Sequence, residues 1–430
     1  MINKLKELFK KKFVQNVFIV ASGAAGAQVF SLLLSPIITR LYGPEAFGIL
    51  GTFTAFTKIV IPVAALTYPV AIVLPKSDKN AKNIIKLSLI ITVLVSFFSL
   101  ISLIIFKNAI VNILNLQAIE FLIYLIPIVI LLAGIMQITE QWVIRTNQFS
   151  INAKSNFIHS VIANLSKVSI GFFYPLASVL VVIQAITQGI RAALILFFIK
   201  KSHYKPYEKE SKIEKKLSIK ETAKQHYDFP LYRAPEELFS TLSQNLPILL
   251  LTSFFGPAAA GFYNIGRTVL SMPSRLIGKA IGDVFYPRIS EAKNNGEDLN
   301  KLIKKATWSL VGVGIIPYGL VMLFGPFLFS LVFGDEWITA GEYARWIALF
   351  SFSTFLNKPA IKSIPVLSAQ RFHLLFTIFR AIVRTLALVI GFVVFNSDII
   401  AVALFGIVSF ITNVMLVVIT LRISKIKNLE

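Results

Sequence analysis

Cysteine is absent from the 430-residue chain, which excludes disulfide bridges, thiolate metal sites and cysteine nucleophiles. Charge is scarce: Asp, Glu, Lys and Arg make up 15% of the residues, against about 25% in soluble domains. Acid is scarcer still, 21 Asp+Glu against 43 Lys+Arg, leaving a formal net charge of +22. The four histidines are scattered and form no metal-ligand cluster, and no cofactor is expected. A glycosyltransferase or polymerase usually needs a carboxylate pair or a large external loop. Here the outer loops are short and their only adjacent acids are Asp335 and Glu336, which read as solvated loop residues. These absences argue against an enzyme.

What is present is apolar. Hydrophobic residues form 56% of the chain and mean hydropathy is +0.74, which excludes disorder. The residues come in long runs such as Phe121–Ile138 and Leu386–Phe395, and about 20 apolar residues in a row span a bilayer. In lipid each span must be a helix, because an open strand leaves backbone groups unpaired. The expected fold is thus an all-α integral membrane protein. About twelve transmembrane helices are expected, at roughly 14–39, 47–74, 84–106, 119–139, 152–174, 176–199, 236–255, 258–286, 306–333, 344–366, 372–395 and 398–422. Pro62, Pro69, Pro247, Pro273 and Pro359 fall inside spans, where helices bend. The opening, with Lys4 to Lys12 before Ala21–Ala27, resembles a signal peptide. Hydrophobicity resumes from Val29 to Ile38, so it reads as a first span.

The basic residues set the orientation. With the N-terminus inside, the inner segments hold nearly all of them, including Lys4–Lys12, Lys76–Lys86 and the stretch from Lys200 to Arg233. The outer segments hold only Arg40 and Lys107. Both termini are expected in the cytoplasm. This placement accounts for most of the net charge and removes the main argument for nucleic-acid binding. The polar stretch divides the chain into an N-terminal six-helix bundle (1–199), a cytoplasmic connector (200–234), partly helical at the surface, and a C-terminal six-helix bundle (235–430). The halves share a motif, Gly43-Pro-Glu-Ala-Phe-Gly48 and Gly256-Pro-Ala-Ala-Ala-Gly261, in the external loop after the first helix of each. They would be parallel repeats, with the substrate site at their interface.

Eleven basic residues fall inside the expected spans: Lys58, Lys167, Arg191, Arg267, Arg275, Lys279, Arg345, Lys358, Lys362, Arg380 and Arg384. A charge at the bilayer centre costs at least about 2.5–3.5 kcal/mol. Arg345, Lys279 and Lys362 can snorkel to the headgroups; Arg275 and Arg384 lie too deep. Asn264, Arg267, Ser271, Arg275, Gly278 and Gly282 share one face of the eighth span. Weaker stripes run through Gln184, Thr187 and Arg191, through His373, Thr377, Arg380 and Arg384, and through Thr54, Lys58 and Pro62. A polar stripe can also be helix–helix glue, though glue rarely needs two arginines. No Asp or Glu lies near the middle of any span. A cavity lined by unpaired cations attracts anions, and the arginine fork suits phosphate. The expected cargo is anionic and phosphorylated. Its head group would be held by Lys58, Arg191, Arg267, Arg275, Arg380, Arg384, Asn264 and Ser271. Glu140, Asp283 and His373 are the candidates for ion coupling, with the membrane potential as another route.

Tyr227-Asp-Phe-Pro-Leu-Tyr232, Leu242–Leu251, Phe255-Gly-Pro, Gly261-Phe-Tyr and Leu276–Ile281 closely resemble the Wzx-type oligosaccharide flippases, as do Ala21–Gly48 and Phe333-Gly-Asp-Glu-Trp337. The resemblance implies membership of the multidrug/oligosaccharidyl-lipid/polysaccharide exporter superfamily, with a MATE-like, V-shaped fold of two bundles. It also implies alternating access that carries an undecaprenyl-pyrophosphate-linked oligosaccharide from the cytoplasmic to the external leaflet of the inner membrane. The implied partners are this polyprenyl pyrophosphate lipid, membrane lipid and a polysaccharide polymerase. Related lipid II flippases use cavity arginines on early helices of both halves, and Lys58, Arg267 and Arg275 occupy comparable helices. The first span departs from some relatives in having no charge at its middle. The alternatives are a lipid II-type peptidoglycan precursor flippase and a cation-coupled drug exporter; the second would want buried carboxylates.

Overall fold

The computed structural model describes residues 2–75, 77–202 and 218–427; the side chains of 2–22, 24, 275–284, 287, 426 and 427 fall outside the description. Among the described residues there is no strand. The helices are α1 (Ile2–Val60), α2 (Asp78–Ile113), α3 (Leu125–Arg145), α4 (Phe149–Gly171), α5 (Ala177–Lys201), α6 (Ile219–Gln225), α7 (Ala234–Phe255), α8 (Pro257–Asn294), α9 (Leu299–Phe333), α10 (Ile338–Leu356), α11 (Lys358–Ser363), α12 (Gln370–Val393) and α13 (Asp398–Lys427). Among the described residues, eight helical stretches are long and apolar enough to cross a membrane. The polar helices α4, α8 and α10 are not among them. α4 turns Ser160 and Asn164 toward Ala27 and Ser31 of α1, so its polar groups meet protein and not lipid.

Contacts divide the chain into two units, Met1–Leu249 and Leu250–Glu430, with the divide inside α7. In the first, α1 packs on α4 and α3 on α5. Its core gathers Phe53, Leu116, Ile123, Ile126, Ile130 and Val181. In the second, α10 packs against α8, α9 and α13, and α12 against α13. Two places there allow no side chain. A Cβ on Gly341 would come 2.4 Å from Pro326 Cα, and one on Gly391 would come 2.2 Å from Ala401 Cα. Small residues let helix backbones approach this closely, the usual means of helix association where lipid removes the hydrophobic driving force.

The repeated motif has a common backbone. Gly43 has φ 69 and ψ 173, and Gly256 has φ 87 and ψ 175. An ordinary residue resists this region, whereas glycine enters it freely. Proline follows at the start of each next helix, where its missing N–H costs nothing. The expected loop is therefore a one-residue kink, which fuses the first two spans into α1.

The second span ends sooner than expected. α1 stops at Val60, and Pro62 and Pro69 sit in short 3-10 turns at Ile61–Val63 and Tyr68–Val73. Proline removes the N–H that a continued helix would need. Arg145 takes up carbonyls left behind: its guanidinium donates to Ile72 O at 3.1 Å and Pro75 O at 2.6 Å, and pairs with Asp78 at 2.9 Å. The connector segment after Ser218 docks on this turn. Ser218 and Glu221 form a reciprocal cap at the start of α6. The Tyr68 hydroxyl donates to Ala223 O, and Thr67 Oγ1 to Phe229 O. His226 is buried beside Phe229.

Burial holds the His226 imidazole below its usual pKa, with Asp228 opposing. Below the unfolded value of about 6.5 the undocked segment takes a proton that the docked one refuses. The docking energy is complete above that pH and declines as pH falls through it. The protection factors of amides 219–229, referred to the intrinsic exchange rate at each pH, should therefore fall between pH 7.5 and 5.5, and His226→Phe should remove that pH dependence; equal protection factors at both pH values would contradict this role.

Candidate functional site

The polar centre of the second unit lies where α10, α12 and α13 meet. The helical period places Arg380 and Arg384 one turn apart on α12. Asn413 of α13 stands between them. Its Oδ1 accepts from Arg380 Nη1 at 3.2 Å and from Arg384 Nη2 at 3.0 Å. Arg384 Nη2 also donates to Ser409 O at 3.3 Å, and its guanidinium lies 5.1 Å from the Phe350 ring centroid. On its other side Asn413 Nδ2 donates to Ser353 Oγ at 2.8 Å and to Thr354 Oγ1 at 3.1 Å. Asn413 and Ser353 are each 1% exposed, so this amide is held rigidly from behind.

Two cations thus share one neutral oxygen, and Arg384 has a backbone carbonyl besides. Among the described residues, no carboxylate bonds to either arginine. Arg384 Nε is buried without an acceptor, as are Thr377 Oγ1 and His373 Nε2 along the same helix. An unmatched donor in a low-dielectric setting carries its full desolvation cost. The arrangement has hydrogen-bonding capacity and positive charge left over, and an anion would satisfy both.

The first unit treats its cation differently. Arg191, expected among the unpaired head-group cations, donates to Glu140 at 3.0 Å and to Asn152 Oδ1 at 2.9 Å. Asn152 Nδ2 also donates to the same carboxylate. Arg191 is therefore paired with a carboxylate, unlike the unpaired head-group cation expected, although its Nε is buried without an acceptor. The cause is packing: α3, α4 and α5 bring together residues far apart in sequence. Glu140, expected as a coupling group, is the partner in this pair.

The other expected residues are spread out. Arg267 and Asn264 are half-buried on α8. Arg267 and Arg384 both reach the buried Tyr263 hydroxyl electrostatically. Ser271 turns its hydroxyl back to Thr268 O of its own helix at 3.0 Å. Lys58 is exposed in the last turn of α1. The side chains of Arg275 and Asp283 lie outside the described residues. Sequence reasoning missed Asn413, Ser353 and Thr354. The only available signal was the polar interruption Ser409, Thr412 and Asn413 in the last apolar span. Among the described residues no cluster of His, Asp or Glu could hold a metal ion.

A family described as polysaccharide biosynthesis protein matches residues 37–342, more than half of the chain. The chain belongs to this family. The teichuronic acid biosynthesis protein TuaB of Bacillus subtilis (strain 168) is 23% identical over 137 residues, 32% of this chain and 28% of its own length. An uncharacterised membrane protein in the cps region of Klebsiella pneumoniae is 23% identical over 320 residues, 72% of this chain and 62% of its own. These matches span less than two thirds of either relative. An inward-facing multidrug resistance MATE family transporter of the MOP superfamily superposes with a TM-score of 0.73 at 14% identity, covering 93% of this chain and 95% of that one. The lipid II flippase MurJ, in an inward closed conformation, superposes at 0.60 and 15% identity, covering 92% and 86%. The chain is a multi-pass membrane protein with the fold of the MOP superfamily.

Glu140→Gln should strand the Arg191 charge in its half-buried setting and lower thermal stability in detergent. The loss should be about 1–3 kcal/mol, between the values for exposed and buried pairs. Pairing it with Arg191→Gln should recover most of the loss. An unchanged melting temperature for Glu140→Gln would show that the pair contributes nothing.

Proposed function

We propose that this protein is a flippase for a lipid-linked oligosaccharide. It takes the lipid by its polyprenyl diphosphate head from the cytoplasmic leaflet of the inner membrane and delivers it to the external leaflet by alternating access. The observation that carries this reading is the Arg380–Asn413–Arg384 centre, two cations midway along a helix apolar enough to cross a membrane, joined through a neutral amide. Retaining such charge in a bilayer is expensive, and a phosphate-bearing head group is the ligand that repays it, through charge-assisted and bidentate hydrogen bonds. Membership of a polysaccharide biosynthesis family supports a saccharide on the far side of that phosphate. The polyprenyl tail would remain in lipid, where it costs nothing to solvate. A cationic drug as cargo would be repelled by this centre.

The test is transport of a fluorescent polyprenyl-diphosphate oligosaccharide in proteoliposomes. Each hydrogen bond to a charged group contributes about 1.5–3 kcal/mol, so Arg380→Ala and Arg384→Ala should each slow transport about tenfold or more. Wild-type rates in both variants would overturn the reading. Faster uptake of a cationic dye than of the anionic lipid would overturn it as well.

A further inference from the structure

We infer that Asn413 is the residue that sets the anion selectivity of this centre. It does so as a positioning residue that keeps two arginines together without cancelling their charge. The inference rests on the flippase reading, because it takes Arg380 and Arg384 as the groups that meet the phosphate head.

The two units provide a comparison within one chain. Arg191 and Arg384 are both half-buried cations on apolar helices, and each donates to the side-chain amide oxygen of an asparagine from a neighbouring helix. The difference is the remaining partner. Arg191 also meets the Glu140 carboxylate at 3.0 Å. Arg384 meets a backbone carbonyl, Ser409 O, and an aromatic face. The position that could have carried the compensating acid, Asn413, carries an amide of nearly the same size and shape.

That choice has consequences for the site. Like charges one turn apart repel, so Arg380 and Arg384 need a shared acceptor to hold them side by side. A carboxylate would do this more strongly than an amide, but it would neutralise one of them and repel an incoming phosphate. The amide oxygen accepts from both and leaves the net charge intact. The amide nitrogen is anchored on Ser353 and Thr354, so Oδ1 faces the arginines in a fixed orientation. Arg384 Nε is buried without an acceptor, as is Arg191 Nε, so the carboxylate alone separates the two sites. The ligand class that fits is a phosphate group carrying more than one negative charge.

The test compares three Asn413 variants, and the Arg380→Ala/Arg384→Ala double variant, of the 430-residue protein in nanodiscs. Binding of a polyprenyl diphosphate is measured by native mass spectrometry, alongside inorganic diphosphate, and thermal stability is recorded for each variant. Asn413→Asp places a carboxylate in the same volume. It should weaken binding of the diphosphate lipid at least tenfold and flatten its dependence on salt. Asn413→Gln keeps an amide and should stay within threefold of wild type. Asn413→Leu removes the shared acceptor but leaves both charges, so it should weaken binding about three- to fivefold, less than Asn413→Asp, and keep the salt dependence. Wild-type affinity in Asn413→Asp would overturn the inference. So would an equal loss in all three variants together with lowered stability, the mark of a purely structural role. Binding unaltered by Arg380→Ala and Arg384→Ala together would instead remove the flippase reading on which the inference stands. Equal affinity for inorganic diphosphate and the lipid would show that the centre reads phosphate alone; a preference for the lipid would show that the tail contributes.

Discussion

A guanidinium group within a bilayer needs a partner, and the nature of that partner decides what the group can do. A carboxylate turns it into a structural strut; a neutral amide leaves it as an electrostatic demand. Both solutions occur in this chain. Arg191 is closed off by Glu140 and Asn152, whereas Arg380 and Arg384 share Asn413 Oδ1 and remain charged. The proposed anion binding by the second unit rests on that difference.

The surrounding packing makes the difference hold. α13 approaches α12 closely because Gly391 leaves room for Ala401, and the same pair of helices carries Asn413 and the arginines further along. α10 supplies Ser353, Thr354 and Phe350, and is itself pressed on α9 through Gly341 and Pro326. Buried aromatics, Tyr318 with Phe352 and Phe355, fill the space between these helices. A network of this kind is precise only when the helices that bear it cannot shift.

Much of the architecture was legible in the residues. Long apolar runs gave the helices, and the repeated Gly-Pro motif located two kinks whose backbone angles agree closely. The α12 stripe was visible as well, because Arg380 and Arg384 stand out in a hydrophobic segment. Pairing was not legible. Glu140 lies 51 residues from Arg191, and no spacing rule reports that α3 and α5 pack together. Asn413 escaped notice for a related reason: a single asparagine in an apolar helix has no meaning until its neighbours are known. The unwound end of the second span was half-visible in Pro62 and Pro69, but the role of Arg145 in holding it depends on tertiary contact.

The most direct measurement is a cryo-electron microscopy map of the protein bound to its polyprenyl-diphosphate lipid. The account predicts phosphate density within hydrogen-bonding distance of Arg380 and Arg384, with Asn413 still bridging the two side chains. Head-group density elsewhere in the chain, with this centre closed and unliganded, would contradict it.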